Sequence, residues 1–88
     1  MMILILNETI DSKDHWFEVE LWQGNGVSAF LKIIASKESE SLQETNNYIN
    51  DLDRRGIIKY YDLTLDYNNR KFTNVMNLEE LLTLIRSN

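Results

Sequence analysis

Between Trp16 and Ile34 the chain alternates in character on either side of Gly24-Asn25-Gly26, and no other feature constrains the fold as strongly. Phe17, Val19 and Leu21 alternate with Glu18 and Glu20, the period of two that places apolar side chains on one face of a strand. Beyond the glycines, Ala29, Leu31 and Ile33 alternate with Phe30, Lys32 and Ile34. A three-residue loop, with Gly26 as its left-handed residue, sets Leu21 against Ala29, Val19 against Leu31, Phe17 against Ile33 and Glu18 against Lys32. One face of the hairpin is then wholly apolar and the other holds a charge pair. A two-residue loop would bring Lys32 onto the Phe17 face, which favours the longer loop. Val27, Phe30, Leu31 and Ile34 also fit helical spacing, with Ala29 and Ala35 suiting a helix. The β-branched Val27, Ile33 and Ile34, together with the charge register, favour a strand.

The rest of the chain is punctuated as clearly. Ser41 with Glu44 three residues on reads as a capping box, and Gly56 after Arg54-Arg55 reads as the matching C-terminal cap. Between them Leu42, Thr45, Ile49 and Leu52 form an apolar stripe with Tyr48 beside it, opposite Glu40, Gln43, Asn47 and Asn50. Tyr61, Leu63, Leu65 and Tyr67 then alternate with Tyr60, Asp62, Thr64 and Asp66. Asn68-Asn69 tolerates the positive φ of a tight turn, which pairs Leu65 with Phe72, Thr64 with Thr73 and Asp66 with Lys71. Asn77 and Glu80 start a last helix whose apolar face is Leu78, Leu81, Leu82 and Ile85. The opening run from Met1 to Leu6 lacks a basic flank and a small-residue cleavage site. It reads as a strand, central or covered on both sides because it is apolar on both faces, and not as a signal peptide or membrane span.

The expected fold is therefore a single α+β domain over residues 1–88, in the order β-β-β-α-β-β-α. A mostly antiparallel sheet of about five strands carries both helices on one face. A chain of 88 residues suits one domain. It has no cysteine, which excludes disulfides, thiolate metal sites and cysteine nucleophiles and favours a reducing, cytoplasmic setting.

The net charge of −5 disfavours partners bound by phosphate neutralisation, so nucleic acid is not expected. The adjacent basic pairs are Arg54–Arg55 and Arg70–Lys71, and no basic stripe exists. The densest acidic stretch, Glu38, Glu40 and Glu44, is too short for a nucleic-acid mimic. His15 is the single histidine, and Asp14 beside it could raise its pKa. It underlies an alternative reading as a small enzyme or ligand-binding domain, but no serine, cysteine or second ligand stands at a suggestive spacing. Asp51/Asp53 and Glu79/Glu80 point in different directions on a helix, and Asp51 is better placed to bridge to Arg54 or Arg55. Asp62, Thr64 and Asp66 share a strand face that could hold a hard cation weakly, although a solvated face explains them equally well. Gly24-Asn25-Gly26 lacks the lysine, hydroxyl residue and helix of a phosphate loop. No catalytic, cofactor or metal residue is assigned.

The tryptophans find no such local explanation. In the favoured register Trp16, Trp22, Phe30 and Ile34 project opposite to Phe17, Val19 and Leu21, rimmed by Glu18, Glu20 and Lys32. If the helices cover the other face, these residues make an apolar patch of the kind that marks interfaces. The competing reading is that a helix or the second hairpin covers them as core. The functional expectation is a non-enzymatic protein-interaction module: a homodimer, a complex subunit or an inhibitor of a larger, more basic protein. In composition alone the chain resembles bacterial immunity proteins, antitoxins and phage-encoded inhibitors, and no motif ties it to a named family.

Overall fold

The computed structural model describes residues 1–10, 15–35 and 38–86, with residues 10, 15, 33–35, 38–39 and 86 described by backbone alone. The strands are β1 (Met2–Ile10), β2 (His15–Gln23), β3 (Gly26–Ala35), β4 (Leu63–Tyr67) and β5 (Arg70–Phe72). They form one sheet of order β3-β2-β1-β4-β5. Only β1 and β4 pair in parallel. β3 and β4 thus point the same way, and a helix, α1 (Glu38–Arg54), makes the crossover that parallel strands need. The second helix, α2 (Leu78–Arg86), follows β5. The expected element order and the single small α+β unit are both present, and β1 lies in the middle of the sheet with only one of its two apolar faces buried.

The first hairpin reaches the expected register by a different device. Gln23 pairs with Gly26 across a two-residue turn, and Gly24, at φ +62°, is the left-handed residue, not Gly26. A positive φ at the first of two central positions is the II′-type pattern that matches strand twist. A β-bulge then absorbs one residue, because Trp22 faces Val27 while Leu21 faces Ala29. Ser28 is the extra residue, and its hydroxyl donates to the Leu21 carbonyl at 3.2 Å. The bulge restores Val19 opposite Leu31 and Phe17 opposite Ile33, so Lys32 stays off the Phe17 face. At Asn68 (φ 48°) and Asn69 (φ 69°) the second turn is as expected. Leu65 pairs with Phe72 and Asp66 with Lys71, but β5 ends at Phe72, so Thr64 and Thr73 are not ladder partners.

Helix α1 starts upstream of the expected cap. Ser41 lies inside it and is fully buried, as is Thr45, so the Ser41–Glu44 capping box is not formed. The buried stripe is Ser41, Thr45, Ile49 and Leu52, with Leu42 and Tyr48 on its flanks. Two small side chains in the first turns let the helix lie close to β2 and β3, which accounts for their burial. At the other end Gly56 (φ 74°) closes a Schellman motif. Ile57 N–H donates to the Leu52 carbonyl at 3.0 Å and Gly56 N–H to that of Asp53 at 2.9 Å. Tyr61, expected on β4, instead sits in a 3-10 turn (Tyr60–Asp62) and is 90% exposed. The expected start of α2 is present: Asn77 Oδ1 accepts from Glu80 N–H at 2.9 Å, while Glu80 Oε2 accepts from Met76 N–H at 3.0 Å.

Among the described residues, all buried side chains of the sheet point to one side. Leu4, Leu6, Phe17, Val19, Leu21, Leu63, Leu65 and Tyr67 meet Ile49 and Leu52 of α1 and Leu81 and Ile85 of α2. Phe17 and Tyr67 cross edge to face at 6.5 Å between centroids. The Tyr67 hydroxyl donates to Glu8 Oε1 at 2.6 Å, and Asn68 Oδ1 accepts from Glu8 N–H at 2.7 Å. Those bonds tie the far end of β1 to the second turn. No helix among the described residues is long and apolar enough to cross a membrane, which leaves strand-built membrane proteins unaddressed.

Candidate functional site

With both helices on one side, the opposite face of the sheet is assembled by register. Ile3 of β1 lies between Trp22 of β2 and Thr64 of β4, and Ile5 lies between Glu20 and Asp66. Asn7 stands beside Glu18, Thr9 beside Trp16, and Lys71 of β5 beyond Asp66. β3 adds Phe30 next to Glu20, Lys32 next to Glu18, and the position of Ile34 next to Trp16. The side chain of Ile34 lies outside the described residues. None of the others on this face is buried, in contrast to the 0–1% exposure of Phe17, Val19 and Leu21 on the reverse face of β2. Neither helix nor the second hairpin packs over Trp16 and Trp22: β4 and β5 extend the sheet sideways and do not fold over it.

Six of the seven expected interface residues are thus on one face with described side chains: Trp16, Glu18, Glu20, Trp22, Phe30 and Lys32. The two tryptophans bracket the two glutamates along β2. Trp16 and Trp22 are half-buried. Both Nε1 atoms are hidden from solvent yet have no hydrogen-bond partner, and so is Asp66 Oδ1. Leaving such a group unpaired costs about 1–3 kcal/mol. Lys32 is the register partner of Glu18, but its Nζ sits 5.4 Å from the Trp16 ring centroid. The Trp16 ring thus already carries a cation of its own chain.

This face was only partly legible in the residues. Ile3, Ile5 and Asp66 belong to it because β1 and β4 lie next to β2 in that order, and no local signal states strand order. The signal that could have found Ile3 and Ile5 was the two-faced apolar pattern of β1.

Other candidates are dispersed. Asp62 lies in the 3-10 turn before β4, so it does not share a strand face with Thr64 and Asp66. Among the described residues no three His, Asp or Glu side chains gather as a metal site would need. Asp51 accepts from Arg54 at 3.0 Å and from Arg55 at 3.3 Å, and these guanidinium bonds hold its carboxyl below the usual range. Asp14 and the side chain of His15 lie outside the described residues. An open depression of about 750 Å³ between β5 and the start of α2 is lined by Lys71, Phe72, Asn77, Glu80 and neighbours, but Asn77 and Glu80 are already engaged as helix caps. Comparison with known proteins yields no matching family model, no matching curated protein and no matching solved structure.

Proposed function

We propose that this chain is a non-enzymatic protein-interaction module whose working surface is the open sheet face around Trp16 and Trp22. The observation that carries this reading is the one-sided layering. Both helices cover the Phe17 face, and two tryptophans, Ile3 and Ile5 remain on the other. Phe30 is 55% exposed there and the two indoles are partly so, a group of aromatics of the kind that marks interfaces. The partner is a protein segment bearing arginine or lysine, which would stack on the indoles and pair with Glu18, Glu20 and Asp66. The same carboxylates repel phosphate and count against nucleic acid. A cytoplasmic inhibitor, an immunity or antitoxin-like protein, and a subunit of a bacterial or phage assembly all fit this description.

The test is a double substitution, Trp16→Ser with Trp22→Ser, assayed with peptides of matched length and opposite charge. The native chain should bind the basic peptide, with a change in tryptophan fluorescence, and not the acidic one. The double variant should lose that binding while its far-ultraviolet circular dichroism stays native. Loss of the fold in the double variant would assign the rings to the core and end the proposal.

A further inference from the structure

We infer that β3 is a pairing edge for a second copy of this chain, joining two sheets antiparallel, β3 to β3, into one continuous sheet. The inference is independent of the use proposed for the tryptophan face. β3 runs for ten residues at the margin of the sheet, and no described strand pairs with its outer side. The opposite margin, β5, is three residues long and carries Arg70 and Lys71, the short charged form in which natural sheets protect an edge. β3 has little such protection. Its single charge is Lys32, proline is absent from the chain, and its bulge is confined to the turn end.

The exposed apolar surface of β3 points to an added strand. Val27 is 46% exposed, Phe30 55% and Leu31 36%. Phe30 belongs to the tryptophan face and Leu31 to the helix-covered face, so the uncovered surface lies on both sides of the strand. An occupant stacked on one face would reach only half of it. A paired strand reaches both, and its backbone answers the outward row of N–H and C=O groups.

Charge selects the second copy. β1 carries Glu8, β2 carries Glu18 and Glu20, and β4 carries Asp66, whereas β3 has no carboxylate. In a chain of net charge −5 this is a strand along which two copies meet without acid facing acid. A two-fold axis through Leu31 sets Phe30 beside Lys32 of the second copy, twice, and Ala29 beside position 33. That pairing is a cation-on-ring contact of the kind the fold already makes between Arg70 and Phe72 at 5.5 Å, with Lys32 turning from its own Trp16 to the facing Phe30. Stacking two copies face to face would instead press Glu18 and Glu20 of each against an acidic surface.

Sedimentation equilibrium of the full chain tests this, together with hydrogen exchange at low and high concentration. A single-strand contact is a small interface, so dimerisation is expected with Kd on the order of 10–100 μM. Protection of the β3 amides should rise with concentration while that of the β5 amides stays constant. The Phe30→Glu, Leu31→Glu double variant should be monomeric with native circular dichroism, and the Trp16→Ser, Trp22→Ser variant should still dimerise. A native chain that stays monomeric to about 1 mM overturns the inference, and so does a dimer without concentration-dependent β3 protection. A dimer lost in the tryptophan variant but kept in the β3 variant means face stacking and overturns it too. If the β3 variant fails to fold, exchange in the native chain decides alone.

Discussion

Tyr60 joins two elements through one proton. Its hydroxyl donates to Asp53 Oδ1 at 2.7 Å, linking the 3-10 turn to the last turn of α1. Burial, and then the bond and charge of Asp53, push the phenol well above its ordinary value of about 10. The unfolded chain releases this proton near pH 10 and the folded chain holds it longer, so the linkage stabilises fully below that pH. The contribution is lost as pH rises towards the folded pKa. Phenolate absorbance should show a late-ionising component, and Tyr60→Phe should diminish it and flatten the alkaline loss of stability. Gly56 makes a second residue-scale test. At φ 74° a side chain is strained, so Gly56→Ala should cost about 1–2 kcal/mol in urea denaturation although no atom stands closer than 4.0 Å to its new methyl group. Asn77→Ala should cost about 1 kcal/mol by the same measurement, through the lost bond to Glu80 N–H. Gly56 and Asn77 were both legible in the sequence because a cap is made by residues a few positions apart. Ser41 was misread because a helix start also depends on what the first turn packs against.

At the scale of elements, the first hairpin shows how a register outlives its turn. The pairing of Leu21 with Ala29 and Val19 with Leu31 follows from keeping apolar residues on one face, and it is observed. Its route was misread: two residues turn the chain and Ser28 is bulged out, where three residues were expected in the loop. A loop of three and a loop of two with a bulge contain the same number of residues, so alternation alone does not separate them. The equivalence predicts that deleting Ser28 yields a regular two-residue hairpin with the downstream register intact. Thermal unfolding of the deletion should differ from the native chain by less than about 1 kcal/mol. A deletion that abolishes the fold would mean the bulge is needed to twist β3 onto α1. The opposite error occurred at Tyr61, where alternation ran past the true start of β4 into the 3-10 turn. Period two marks which faces agree, not where pairing begins.

The whole molecule is asymmetric across its sheet, and substitutions should report that asymmetry. Phe17→Ala removes a fully buried ring between β1, β3 and the helices and should cost about 3–5 kcal/mol. Trp22→Ser, one face away on the same strand, removes a larger but only partly buried ring and should cost less, about 1–3 kcal/mol. Denaturant midpoints for the two variants check this directly, and equal losses would mean that the tryptophan face is covered. Taken alone, the sequence determined the order of the helices and strands, where the two turns fall, the faces of Phe17–Leu21 and of Leu63–Tyr67, and the absence of thiol chemistry. These follow from spacing, composition and side-chain period, which are local. Only the tertiary structure decided that β4 enters beside β1 in parallel, that Ile3, Ile5 and Asp66 join Trp16 and Trp22, and that β3 is left as a long margin. Strand order is chosen by how α1 crosses over and which apolar faces it seals, a balance of burial among residues far apart in the chain that no local pattern records.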